Sequence, residues 1–142
     1  MLDFGCGSLP ESFELSSCGF RVTAFDLDGD TLNAYLTKYD WTDPKPQLVS
    51  SGSLSQFSGK GFSLAIAVDV FEHLDRPTIA LDHLSSALTT GGLIFCTVPN
   101  GYSLFELGRR VVLGHTFTPS VPHFNLNLLV DGSAASNYQV LK

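Results

Sequence analysis

The sequence predicts an α/β domain: a mostly parallel, doubly wound sheet with helices on both faces. Two observations carry that expectation. Apolar runs of strand length alternate with stretches of helical period along the chain. The two longest runs, Phe62–Val68 (FSLAIAV) and 93–98 (LIFCTV), are apolar almost throughout, as strands covered on both faces are. At 142 residues, 44% hydrophobic and 15% charged, the chain has the size of one ordinary domain, enough to bury roughly two-thirds of its unfolded surface.

Residues 1–4 open the sheet and run into Gly5-Cys6-Gly7. Residues 11–17 form a short helix with Pro10 in its first turn, where a missing N–H costs nothing. The second strand is 21–26 (RVTAFD), followed by a helix over 30–39. Pro44 and Pro46 punctuate the chain before a short strand at 47–50, and Phe62–Val68 is the fourth strand. The next helix carries the fullest set of signals. Asp75 is its expected cap, Pro77 lies in its first turn, Ala80, Leu81, Leu84, Ala87 and Leu88 make one apolar face, and Gly91-Gly92 stops it. Residues 93–98 are a fifth strand, fully buried and closed by Pro99-Asn100.

Composition narrows the partners. The formal net charge is −6, and the eight Lys and Arg are scattered apart from Arg109-Arg110. A nucleic-acid binder needs a clustered cationic footprint, so no nucleic acid is expected. No apolar run approaches the roughly 20 residues that span a bilayer, and no basic-then-apolar leader opens the chain. The expectation is a cytoplasmic protein without a membrane partner. Cys6, Cys18 and Cys96 are an odd number without C-x-x-C spacing, which reads as buried thiols in a reducing compartment.

In a doubly wound sheet the ligand crevice lies at the carboxyl ends of the strands, near the point where strand order reverses. The residues expected there are Asp3, Gly5-Cys6-Gly7, Asp26, 51–53, Asp69 and Pro99-Asn100. Gly5 and Gly7 let the backbone turn sharply and approach a ligand with no Cβ in the way. Asp26 ends the second strand, 19 residues after Gly7, where a carboxylate accepts both hydroxyl hydrogens of a ribose. An adenosine-containing cofactor is implied. A dinucleotide fingerprint needs a third glycine at the position of Pro10, which weakens a pyrophosphate reading.

LDFGCG, then AFDLD, then AVDVFEHL, then LTTGGLIFCTVPN resembles the class I S-adenosylmethionine-dependent methyltransferases, in particular a small-molecule branch with a D-x-x-E-H segment after the fourth strand. The resemblance covers about residues 1–100 and continues more loosely through VPHFN to AASNYQVLK, which looks like a last helix running into a sixth strand. It implies a Rossmann-like fold and one domain over 1–142. Residues 1–100 would be the cofactor-binding core, and 101–142 a substrate-side segment with an incomplete C-terminal part. It also implies S-adenosylmethionine as cofactor and methyl transfer to a small molecule, at oxygen. Asp3 would hold the cofactor's ammonium, directly or through water. Gly5, Cys6 and Gly7 would supply the loop beside its methionine part. Asp26 would bind the ribose, Leu27 would pack on the adenine, Ser53 would stand where an acid usually meets the adenine amino group, and Asp69 and Val70 would lie near the sulfonium. Departures from the family pattern are Leu9 in place of the third motif glycine and Phe62-Ser63 in place of Phe-Asp. The family also has a helix before the first strand and a seventh strand inserted antiparallel beside the fifth, and the chain is expected to lack both. An open slot leaves a sticky edge, which a homo-oligomer would cover.

His73 and His123 are the catalytic candidates, His123 as a base or as the group that orients the acceptor. Asp69, Glu72 and His73 together suggest a divalent cation, but two carboxylates and one imidazole leave such a site short of ligands, and no metal is assigned. Two other functions compete. Asp26-Leu27-Asp28-Gly29-Asp30-Thr31 resembles the nucleophile loop of haloacid-dehalogenase-like phosphatases, with Asp26 attacking phosphorus and Asp28 as acid and base. Against it, Asp30 is inserted before the loop hydroxyl, and Thr97, a candidate phosphate-binding hydroxyl, has no lysine after it until Lys142. The second alternative is a non-catalytic remnant serving as an interaction module.

Overall fold

The computed structural model describes residues 1–98. Its sheet is parallel throughout, in the order β3-β2-β1-β4-β5, with β1 Leu2–Phe4, β2 Thr23–Phe25, β3 Gln47–Val49, β4 Phe62–Val68 and β5 Leu88–Thr97. Helix α1 (Pro10–Ser17) joins β1 to β2, α2 (Gly29–Leu36) joins β2 to β3, and α3 (Pro77–Ala87) joins β4 to β5. Two short 3-10 turns, Leu54–Phe57 and Phe71–His73, flank β4. The expected α/β class is the observed one. His123, Pro99-Asn100 and everything expected of 101–142 lie outside the described residues.

Side chains on a strand alternate between faces, and here that alternation divides the interior in two. Leu2, Phe4, Phe25, Ala65 and Ala67 meet Phe57, Phe71 and the apolar face of α3, formed by Ala80, Leu81, Leu84 and Ala87. On the other face Ala24 packs with Cys6, Leu9 and Leu32 of α2, ringed by Tyr35, Tyr39, Trp41 and Leu48. Asp3 lies between Leu2 and Phe4 and so faces α1, where Ser12 meets it. Among the described residues no helix is long and apolar enough to cross a membrane.

Three local expectations need correction. Asp75 does not cap α3: the cap position is Arg76, with no side-chain bond to the helix. Gly91-Gly92 does not stop α3. The helix ends at Ala87, β5 begins at once, and the glycines lie where the β4–β5 register slips between the pairs Phe62–Leu88 and Leu64–Leu93, Gly91 turning through φ +79. Nor is β5 buried on both faces, because Leu93 and Phe95 are 67% and 52% exposed. An apolar run shows that both faces are apolar, not that both are covered. A groove lies between Glu14 and Leu15 of α1 and Ile66, Val68 and Phe95 of the sheet.

Helix α2 also ends at Leu36, earlier than its periodicity suggests, because Tyr39 and Trp41 turn away to stack with Phe13 of α1. Ring centroids of Phe13 and Tyr39 are 4.6 Å apart. Trp41 Nε1 donates to the Leu36 carbonyl at 2.6 Å, satisfying one orphan acceptor at the helix end. The Tyr39 hydroxyl donates to the Ser8 carbonyl at 3.0 Å and so pins the loop after β1. Tyr39→Phe should cost about 1 kcal/mol in denaturant unfolding and speed hydrogen exchange at the Leu9 amide, which bonds back to the Cys6 carbonyl. Unchanged exchange there would remove the pinning role.

Candidate functional site

β1 and β4 are neighbours whose connections lead to opposite halves of the sheet, so their carboxyl ends flank the switch point. A cleft of ≈ 560 Å³ opens there, within the roughly 300–1,000 Å³ typical of small-molecule sites. Of the expected site residues, Gly5, Asp26, Leu27, Ser53, Asp69, Val70 and His73 line it. Asp3, Cys6 and Gly7 lie outside its lining, in and behind the glycine bend.

Asp26 is clamped to that bend. Its Oδ2 accepts from the Gly7 N–H at 2.9 Å and its Oδ1 from the Asp28 N–H at 3.0 Å. A carboxylate has about four lone-pair sites, so one acceptor direction on each oxygen is left for a vicinal diol. The bend itself is fixed by the Gly5 and Cys6 N–H groups, both donating to the Phe25 carbonyl, at 2.8 and 3.2 Å. Gly5 and Gly7 have φ +70 and +45. At Gly7 a Cβ would meet nothing, so the requirement is conformational. At Gly5 a Cβ would fall 2.5 and 2.8 Å from the γ carbons of Val70, so the close approach of the β1 and β4 tips also demands glycine.

Leu9, in the place of the third glycine, adopts the backbone a glycine would, with φ 65 and ψ 22. Its left-handed conformation costs about 1–2 kcal/mol. The side chain is fully buried with Cys6, Ala24 and Leu32, and burial of a leucine contributes about 1.5–3 kcal/mol, enough to offset the strain.

Asp3 is 2% exposed, and Ser12 Oγ donates to its Oδ2 at 2.5 Å. Burial pushes the carboxyl up to about 6, against the Ser12 hydrogen bond and with help from the nearby Glu11 and Asp26. Cys6 turns its thiol into the α2-side core, where burial first and the Asp3 charge second push it up, so it contributes backbone and packing rather than a nucleophile. Leu27 stands 75% exposed at the cleft, an apolar wall left facing solvent. Ser53 Oγ accepts from the Ser55 N–H at 3.3 Å and caps the following 3-10 turn.

Asp69 holds a left-handed φ of 52, which aspartate tolerates better than most residues. Thr97 at the end of β5 keeps it there. The Asp69 N–H points at the Thr97 carbonyl and Oγ1, at 3.1 and 3.2 Å, and Thr97 Oγ1 donates to Asp69 Oδ1 at 3.0 Å. Glu72 is 3% exposed; burial pushes its carboxyl up, and its Oε2 has no partner among the described residues. Its Oε1 lies 3.8 Å from Nε2 of His73, whose side chain is 60% exposed at the cleft. No three His, Cys, Asp or Glu among the described residues gather as a metal-ligand group.

The acid–base candidate of the phosphatase alternative is engaged at a helix start. Asp28 caps α2, accepting from the Thr31 N–H at 3.1 Å and from Thr31 Oγ1 at 2.6 Å, and these bonds, the hydroxyl's first, hold its carboxyl below the usual range. Thr97, its candidate phosphate hydroxyl, is spent on Asp69. Sequence reasoning missed three functional neighbours: Ser12, Tyr39 and the tie from Thr97 to Asp69.

A family model described as "Methyltransferase domain" matches residues 1–127. Two uncharacterized proteins of Mycobacterium tuberculosis, from strains CDC 1551 and H37Rv, are each 25% identical over 130 residues, covering 89% of this chain but only 39% of their own length. Among solved structures, one titled for conversion of a disulfide bond into a thioacetal group during echinomycin biosynthesis has a TM-score of 0.71 at 19% identity, covering 92% of this chain and 59% of that one. A SAM-dependent methyltransferase from Methanosarcina mazei has a TM-score of 0.61 at 19% identity, covering 78% and 57%. The plantazolicin methyltransferase BpumL, in complex with SAH, has a TM-score of 0.61 at 22% identity, covering 78% and 42%. At these identities the structural likeness establishes the fold.

Two substitutions probe the site's construction. Gly5→Ala should destabilise by about 2–4 kcal/mol, combining a left-handed alanine with overpacking, and Val70→Ala in the same chain should recover the steric share in thermal unfolding. No recovery would mean the strand tips do not meet as described. Asp3, raised from 3.8 to about 6, contributes stability that is full below pH 3.8 and lost as pH rises through about 6, a loss of about 3 kcal/mol at neutral pH. Asp3→Asn, which keeps an acceptor for Ser12, should therefore melt higher than wild type at neutral pH and lose that advantage near pH 4. Equal melting temperatures at neutral pH would contradict the buried anion.

Proposed function

Because the chain belongs to the methyltransferase-domain family, we propose that it binds S-adenosylmethionine and transfers the methyl group to an oxygen of a small molecule. One observation carries the reading. Asp26, bonded to the glycine bend from 19 residues away, keeps a free acceptor direction on each oxygen at the wall of the cleft. The bound SAH in the plantazolicin enzyme supports the same cofactor here.

When bound, the cofactor supplies a methyl group on a positively charged sulfur. The chain's own residues bind and orient. Asp26 accepts the two ribose hydroxyls. Leu27 offers the adenine its exposed apolar side chain, and Ser53, at the cap of the 3-10 turn after β3, would meet the base from the cleft lining. The bend of Gly5, Cys6 and Gly7 presents backbone to the methionine part, with the Asp3 carboxylate behind it for the ammonium, directly or through water. Asp69 and Val70 flank the sulfonium, where Asp69 adds a negative charge. Methyl transfer is an in-line displacement, so holding the acceptor oxygen about 3 Å from the methyl provides much of the acceleration.

Oxygen is favoured as the acceptor atom because an imidazole stands ready at the cleft. His73 is exposed there with the Glu72 carboxyl 3.8 Å from its Nε2, an arrangement suited to taking a hydroxyl proton, which contributes about 10²–10⁴-fold. His123 is the other candidate for that role. None of the three cysteines is in a disulfide, and of the expected buried thiols only Cys6 is buried, Cys18 being exposed and Cys96 half-buried; free thiols are those of a reducing compartment, and we propose the cytoplasm.

Calorimetry with S-adenosylhomocysteine tests the reading. Wild type should bind, and Asp26→Ala, which loses both diol contacts and the clamp on Gly7, should bind at least about 100-fold more weakly. Equal affinity in the two proteins would sink the assignment of the ribose site.

A further inference from the structure

We propose that Ser12, on the inward face of α1, is a positioning residue of the cofactor site: it holds the Asp3 carboxylate behind the glycine bend and leaves Oδ1 to receive the cofactor's ammonium or the water that bridges to it. The inference rests on the cofactor reading above and extends it to a residue outside the cleft lining.

Helix α1 buries two side chains, Ser12 and Ser16, where an amphipathic helix ordinarily buries apolar ones. The two serines differ. Ser16 Oγ has no partner among the described residues, so the residue serves as a small spacer that happens to carry a hydroxyl. Ser12 is fully buried and its hydroxyl is committed to Asp3 Oδ2 at 2.5 Å. That length belongs to a charge-assisted bond from a hydroxyl to a carboxylate. Burying a hydroxyl without a partner is unfavourable, so a packing role alone would be met better by alanine.

The surroundings of Asp3 show what the bond opposes. Glu11 on the same helix and Asp26 beyond β2 both repel a charge on Asp3. Cys6 in the adjoining loop is a neutral thiol. The residues in register with Asp3 on the neighbouring strands are Ala24 and Ile66. Burial acts in the same direction as the two acids. Ser12 is the side-chain donor that works the other way. A protonated Asp3 has no charge to offer an ammonium, so the hydroxyl sets both where the carboxylate points and over what pH range it is an anion. The Ser12 hydroxyl bonds Oδ2 and not Oδ1, and the Ser12 backbone N–H adds a smaller push toward the anion that a side-chain substitution leaves in place.

The test uses the full chain as wild type, Ser12→Ala, Ser12→Thr and Ser12→Cys. Two quantities are read: the Asp3 carboxyl midpoint by carbon-13 NMR without ligand, and S-adenosylhomocysteine affinity between about pH 5 and 8. Ser12→Ala should move the midpoint up by about one to two pH units and weaken binding at neutral pH about two- to tenfold, the loss recovering as pH rises. Ser12→Thr, which keeps the hydroxyl, should restore both. Ser12→Cys, similar in size and a weak donor, should behave like Ser12→Ala and stands in for it if the alanine variant does not fold. An unmoved midpoint, a moved midpoint with unchanged affinity at every pH, or a threonine variant no better than alanine each overturns the proposal. If wild type binds no S-adenosylhomocysteine while the midpoint still follows Ser12, it is the cofactor reading that has failed, and the positioning role falls with it.

Discussion

Hydrogen bonds from the Gly7 N–H to Asp26, and from Gly5 and Cys6 to the Phe25 carbonyl, tie the tip of β1 to the tip of β2 across a whole strand–helix–strand unit. The cleft depends on that tie. A loop released from β2 would leave the Asp26 carboxylate without its Gly7 anchor and the Gly5 backbone free to move off Val70. The tie works because glycine tolerates positive φ at little steric cost and because a carboxylate can accept a loop N–H and still have acceptor directions to spare. On the other side, the bare Cα of Gly5 lets Val70 close in, and Thr97 keeps Asp69 turned at the end of β4. Three strand tips are thereby gathered around one opening, with a fourth holding the last in place.

The site is assembled from pieces that oppose stability. Asp3 is a carboxylate in an interior that pushes it toward the neutral form, Asp69 and Leu9 sit in left-handed backbone, and Glu72 is buried with one oxygen unmatched among the described residues. Each costs on the order of 1–3 kcal/mol, against a net stability of about 5–15 kcal/mol for a domain. Two local devices offset part of this. Leu9 returns its strain through burial, and the stack of Phe13, Tyr39 and Trp41 anchors the loop from outside while its aromatic surface leaves water. The core around α3 supplies the remainder through Phe4, Phe71, Leu81 and Leu84.

Much of this was legible beforehand, for physical reasons that differ by residue. Strand β4 is found at Phe62–Val68, the run its apolar composition marks. Asp26 and Gly5 could be placed at the cleft because parallel topology sends ligand contacts to strand ends, whatever the packing in between. Ser12, Thr97 and Tyr39 were not legible. Their bonds to Asp3, Asp69 and Ser8 span 9, 28 and 31 residues, and a serine, threonine or tyrosine carries no periodic signal of its partner. Gly91-Gly92 misled because a glycine pair marks a break in regularity without saying whether a helix ends or a strand bulges.

Asp28 shows how one short motif supports two chemistries on paper while its geometry favours one of them. An Asp-x-Asp-Gly segment after a strand is compatible with a phosphoryl-transfer nucleophile and with a ribose acid followed by a helix cap. Local geometry separates the two. Here α2 begins at Gly29, so the carboxylate at 28 lies over the first turn, where Thr31 offers both an N–H and a hydroxyl. Each oxygen accepts one of them, and the N–H of the same residue is turned back to orient Asp26. A carboxylate held on Thr31 below its usual range is a poor acid, so the cap works against a proton-donating role. The position of the helix start, more than the identity of the acids, decides what this strand end can do.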